Sequence, residues 1–225
     1  MIEESIAIEV DGLRLDGRFA YEEAQGAVTA ATLICPPHPF LGGDMDNNVV
    51  TALRDALVAA GLPVLRFNYR GIGASECARD LNEDQAEFWR DSSCPRYEAE
   101  IHRDCQAAFQ RLRAEVGEVP LHLVGYSFGC LPALDIAARE PVSRLLLISP
   151  PLAKWRIAAA LPTRVAARGL FFAPGDFACP EADIEALYAA LPEPKALEAF
   201  ADADHFFVGH ERSLAAAASR FLEAA

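Results

Sequence analysis

Ser127 sits in Gly125-Tyr126-Ser127-Phe128-Gly129, a serine with glycine two residues away on either side. A hydroxyl in that setting can attack an acyl carbonyl if three things accompany it: a base, a carboxylate behind the base, and N–H groups for the developing oxyanion. With 14 glycines and nine serines in 225 residues, chance yields roughly 0.03 such patterns. Local context sharpens the reading. Leu121-His122-Leu123-Val124 reads as a short buried strand, and Cys130 to Ala138 as a helix packed on a sheet. A serine on a strand-to-helix turn is a nucleophile elbow, in which a strained serine backbone needs glycines around it to keep Cβ atoms out of a crowded space.

Of the five histidines, His205 suits the base. It follows Ala201-Asp202-Ala203-Asp204 in a loop between the last expected strand and the final helix, at the sheet edge where open α/β sheets place reactive groups. His102 falls in a helix, His122 in a strand, and His210 at a helix start. The imidazole requires a carboxylate to set its tautomer. Asp176, directly after the strand that includes Leu170 to Ala173, is the first choice; a turn or capping role is its bland alternative. Asp204 is the weaker choice, because adjacent residues rarely face one another. For the oxyanion, Phe128 supplies one N–H. The second is expected from the turn Pro37 to Gly43, where Pro39 has none, so Phe40 or Leu41 is the expected donor. His38 then orders this loop by hydrogen bonding, and it joins Tyr126, Trp155 and Phe206 as an expected pocket wall.

The elements needed to position these residues are legible as a mostly parallel α/β sheet covered on both faces. Ser5 to Val10 and Leu13 to Tyr21 alternate around Asp11-Gly12 as an antiparallel hairpin. Strands are expected at Ala27 to Cys35, Pro63 to Asn68, Leu121 to Val124, Val142 to Ile148, Gly169 to Pro174 and Ala196 to Phe200. Helices are expected at about Asn48 to Ala60, Tyr97 to Glu115, after Ser127, Pro180 to Leu191, and after His210. Residues 77–96 read as polar and irregular: a lid, a partner-contacting loop or a solvated loop. The proline- and alanine-rich 150–168 reads as a minimal cap on a single domain spanning 1–225.

Bulk properties narrow the class. A formal charge of −13, with only Lys154 and Lys195 as lysines, argues against nucleic acid or an anionic membrane as a partner. Met1-Ile2-Glu3-Glu4 is acidic with no apolar run behind it, so no secretory signal is expected, and the apolar stretches are short of the roughly 20 residues that span a bilayer. Six cysteines without C-x-x-C spacing read as free thiols of a reducing compartment, the cytoplasm, and neither a metal nor a cofactor is called for.

From Cys35 onward the chain resembles the α/β-hydrolase superfamily, close to small bacterial serine hydrolases with a His-Pro-His-Pro loop. The resemblance rests on Pro37-His38-Pro39, Gly42 to Asn47, Leu65 to Ser75, the elbow, and Asp204-His205-Phe206-Phe207. It implies the chain order Ser127, Asp176, His205. Three departures stand out. Position 36 is proline in place of the first histidine. The acid loop is shortened, so that Asp176 directly follows Gly175; an unshortened alignment would put Ala178 at the acid position, and the spacing from Asp176 to Pro180 favours the shortened one. Residues 77–96 look inserted. The expected activity is cleavage of an ester or thioester of a small acyl substrate through an acyl-enzyme, without a cofactor. The rivals are a peptidase, acyltransferase or lyase on the same elbow, or a catalytically silent scaffold that binds a ligand or partner.

Overall fold

The computed structural model describes residues 1–23, 28–155 and 165–224. Two strands open it, β1 (Ile2–Val10) and β2 (Leu13–Tyr21), joined by Asp11 and Gly12. Both turn residues have positive φ, 52° and 77°, the twist a two-residue hairpin requires. β3 (Ala31–Cys35), β4 (Val64–Phe67) and β5 (Leu121–Tyr126) are buried at every position, as strands covered on both faces must be. β6 (Arg144–Ile148), β7 (Ala167–Phe172) and β8 (Lys195–Ala199) complete one eight-stranded sheet in the order β1-β2-β4-β3-β5-β6-β7-β8. β2 pairs antiparallel with both β1 and β4, and β4 through β8 run parallel.

Helices α1 (Asn48–Ala59) and α6 (Glu211–Glu223) cover one face through a core that joins Val49, Leu53 and Leu57 to Leu214, Ala218 and Leu222. Asn47 caps α1 as its spacing requires, its side-chain oxygen accepting from the Val49 N–H at 3.0 Å. The other face carries α3 (Pro95–Val116), α4 (Cys130–Arg139) and α5 (Glu181–Ala190), packed through Ile101, Phe109, Ile136 and Ile184. Among the described residues no helix is long and apolar enough to cross a membrane. Of the cap expected at 150–168, residues 156–164 lie outside the described residues.

The stretch 77–96, expected to be irregular, contains helix α2 (Asn82–Asp91). Its apolar signal is faint because what it buries is Phe88 together with a carboxylate, Asp84. Arg79 Nε reaches that carboxylate at 2.9 Å and Arg96 Nη2 at 2.6 Å. These bonds outweigh burial and hold the Asp84 carboxyl below its usual range. A buried, doubly paired acid thus fastens α2 to the start of α3, so this segment is a built wall of the fold.

Two buried histidines make stability sensitive to mild acid. Burial, aided by the Lys154 charge, pushes His38 down to about 3, and burial, aided by Arg144, pushes His122 down to about 4. The unfolded chain binds these protons near pH 6.5, whereas the fold refuses them until far lower. Stability is therefore complete above that pH and declines below it, by about 1.4 kcal/mol per pH unit for each histidine. Urea unfolding from pH 7 to pH 5 is expected to show this slope. His122→Leu should remove about half of it, and an unchanged slope would reject the assignment.

Candidate active site

Ser127 directly follows β5 and opens a single 3-10 turn, Ser127–Gly129, that leads into α4. Its φ is 51°, a left-handed conformation that costs a residue with a Cβ roughly 1–2 kcal/mol. The glycines are sterically required. A Cβ on Gly129 would lie 2.1 Å from the Cys35 carbonyl oxygen, and one on Gly125 would lie 2.6 Å from the Cys130 Cα. The elbow therefore presses the serine turn against the end of β3, where the loop with His38 begins.

Ser127 Oγ lies 3.0 Å from His205 Nε2, and His205 Nδ1 lies 2.7 Å from Asp176 Oδ2. Asp176 stands after β7, and His205 between β8 and α6, so the three residues come from three loops at the same edge of the parallel strands. The Asp176 side chain is fully buried. Burial works to raise its carboxyl, but the His205 hydrogen bond and charge, aided by the Ala178 N–H, prevail and hold it below the usual range. The Ala178 N–H donates to Asp176 Oδ1 at 2.8 Å, which leaves Oδ2 for the imidazole. An ionised carboxylate there keeps the proton on His205 Nδ1 and frees Nε2 to accept from the serine hydroxyl. The shortened acid loop thus delivers its carboxylate to the histidine. Asp204 is occupied elsewhere: Oδ1 accepts from the Phe206 N–H at 3.0 Å and its carbonyl from the Phe207 N–H.

Tyr126, expected as a pocket wall, lines the cavity and also braces the base, since its hydroxyl donates to the His205 carbonyl at 2.8 Å. His38 orders its loop as expected. Its Nδ1 accepts from the Phe40 N–H at 3.2 Å, and its ring stacks on Phe88 with centroids 4.4 Å apart.

The expected oxyanion donors Phe40 and Leu41 need correction. The Phe40 N–H is taken by His38 Nδ1; the Leu41 and Gly43 N–H groups by the His38 carbonyl; and the Gly42 N–H by the Pro39 carbonyl. Prolines 36, 37 and 39 have no N–H. From Pro36 to Gly43 this leaves the His38 backbone N–H as the donor without an acceptor among the described residues. Elimination by proline alone missed it, because a tight turn consumes its own N–H groups. The Phe40 side chain is also turned away, buried and stacked on Tyr97 at 4.5 Å. Phe128, second residue of its turn, has an N–H with no acceptor inside that turn.

These groups face a cavity of about 390 Å³ in which Trp155 and Phe206 take their expected places and Leu41 forms part of the rim. Among the walls that sequence reasoning did not assign are Phe88 and Trp89 from α2, Phe177, and Lys154. The one available signal was the Phe88-Trp89 pair inside an otherwise polar stretch.

Comparison with known proteins agrees with this fold. An uncharacterized protein of Rickettsia prowazekii (strain Madrid E) is 31% identical over 141 residues, covering 62% of this chain and 52% of its own; the chain thus spans about half the length of that curated relative. An alpha-beta serine hydrolase homologue from Coxiella burnetii superposes with a TM-score of 0.80 at 25% identity over 96% of each chain. An a/b serine hydrolase without lid from Xanthomonas campestris gives 0.80 at 24% identity, over 97% of this chain and 92% of that one. A dienelactone hydrolase from Anabaena variabilis gives 0.76 at 20% identity, over 98% and 96%; at that identity the likeness speaks to fold alone. The Alpha/beta hydrolase family model matches residues 20–224, spanning every loop that holds the serine, the acid and the histidine. By that match, the chain belongs to the alpha/beta hydrolase family.

Proposed function

We propose that this protein is a serine hydrolase that cleaves carboxylic esters or thioesters through an acyl-enzyme. The observation that carries the reading is the unbroken relay Ser127–His205–Asp176, at 3.0 and 2.7 Å, at a largely apolar cavity with two spare backbone donors. Ser127 Oγ bonds to the acyl carbon as its proton passes to His205 Nε2. The carbonyl oxygen, now negative, is held by the N–H groups of His38 and Phe128. Collapse of this adduct breaks the bond to the leaving oxygen or sulfur, which takes the proton back from His205. Water then adds to the acyl-serine, its proton passing to His205 and on to Ser127 Oγ as the acid departs. Ester and water are thereby converted to acid and alcohol, with every proton returned. The reading includes action in the cytoplasm, supported by the six cysteines, all free thiols.

A fluorophosphonate probe tests the chemistry. The expected result is a single adduct that peptide mapping places on Ser127; folded protein that takes up no probe would overturn the reading in favour of a silent scaffold. The oxyanion assignment has a separate test. The φ of His38 is −63°, which proline adopts without strain, so His38→Pro deletes the N–H while His38→Ala retains it. The proline variant should have a kcat about 10²- to 10³-fold below that of the alanine variant. Equal rates would remove His38 from the oxyanion site.

A further inference from the structure

Among the described residues, the walls of the cavity are apolar or aromatic except at a few positions, and only one of them carries a fixed charge. That residue is Lys154. No aspartate or glutamate is among the described residues that line the cavity, in a chain whose net charge is −13. The ammonium is also unpaired by any acid among the described residues. Its Nζ donates to the main-chain carbonyl of Asp91 at 2.8 Å and to that of Ser92, and it lies 5.1 Å from the centre of the Trp155 ring. Neutral carbonyls and a ring face orient an ammonium but leave its charge uncompensated, and one of its three N–H donors stays available. Lys195, the other lysine, has Glu193 at 3.7 Å. Burial, aided by the Lys154 charge, keeps the imidazole of His38, another wall of this cavity, neutral.

We infer that the acyl group this enzyme accepts is apolar along its length and ends in an anion, a carboxylate above all, which pairs with Lys154 at the cavity mouth while the ester carbonyl lies at Ser127. The inference deepens the hydrolase reading and rests on it. Lys154 is exposed at the end of an apolar wall, so its ammonium, uncompensated by any carboxylate among the described residues, attracts an anion there without having to be buried. The same wall disfavours a polar uncharged chain, which would lose its water without gaining partners. A lysine that merely capped α2 through the Asp91 and Ser92 carbonyls would show no preference for charge.

The test uses mono-p-nitrophenyl esters of straight-chain dicarboxylic acids from four to eight carbons, each beside the neutral p-nitrophenyl ester of matching length. The quantity read is the ratio of kcat/KM, anionic over neutral, within one protein preparation, so that any loss of folded material cancels. In the wild type this ratio is expected to reach at least tenfold at one chain length and to shrink as sodium chloride rises from 0.05 to 0.5 M. Lys154→Met should bring it to about one or below, and Lys154→Arg should keep it above one. A wild-type ratio of one or less at every length overturns the inference while the hydrolase reading stands, as does a preference that survives in Lys154→Met. Failure to cleave any ester, neutral or anionic, instead overturns the hydrolase reading and takes this inference with it.

Discussion

Ser127→Ala is expected to lower kcat/KM for activated esters by about 10⁴- to 10⁶-fold, the range seen when the nucleophile of a triad is deleted. What remains would be the rate enhancement due to binding and the two N–H donors alone. The size of the loss follows from geometry, because among the described residues Ser127 supplies the one hydroxyl bonded to His205 Nε2, the atom that must take the proton. Stability separates this result from a folding defect. Alanine suffers the same left-handed strain at φ 51° as serine does, so the melting temperature should stay near the wild-type value. Ser127→Gly relieves that strain and should be more stable by about 1 kcal/mol while equally inactive. Activity within tenfold of wild type in either variant would mean that another group attacks the carbonyl.

Asp176→Asn should cost about 10³- to 10⁴-fold in kcat with little change in KM. An amide presents N–H where the carboxylate presented an oxygen lone pair, so His205 would turn its Nδ1 into an acceptor and put its proton on Nε2. That nitrogen faces Ser127 Oγ at 3.0 Å and could no longer receive the hydroxyl proton. Asp204→Asn is the matched comparison. Asp204 closes a local turn through the Phe206 and Phe207 N–H groups, and asparagine can keep both bonds, so activity should stay within about threefold of wild type. Steady-state kinetics on the pair decides between the acids. Near-normal turnover in Asp176→Asn would reject its assignment.

How much of this was readable beforehand depended on how local each signal was. The elbow was legible because strand, turn and helix lie within a dozen residues and each carries its own pattern. His205 was legible for a similar reason, as the histidine stranded in a loop ahead of the final helix. The preference for Asp176 over Asp204 was legible from its place directly after a strand, whereas the contact itself, Asp176 Oδ2 to His205 Nδ1 at 2.7 Å, needed three dimensions. Helix α2 was missed because its buried face includes Asp84, and a carboxylate at an inward position reads as solvent-facing until Arg79 and Arg96 are seen to hold it. The oxyanion donor was misassigned to Phe40 or Leu41 because proline content was considered and turn hydrogen bonds were not. Lys154 gave no signal at all. Its meaning comes from the lack of acid around it, which no window of sequence displays.

Residues 38, 127, 176 and 205 are carried by the loops that follow β3, β5, β7 and β8. This spread makes catalysis a late event in the life of the chain. Contacts between residues so far apart form slowly, because the intervening segment must lose its freedom before any contact rewards it. A refolding chain can collapse, and can form the hairpin of β1 and β2, well before β8 docks against β7 and brings His205 to the serine. Recovery of ester cleavage therefore reports the joint docking of the loops after β5, β7 and β8, an event that far-ultraviolet signals of helix and sheet should run ahead of.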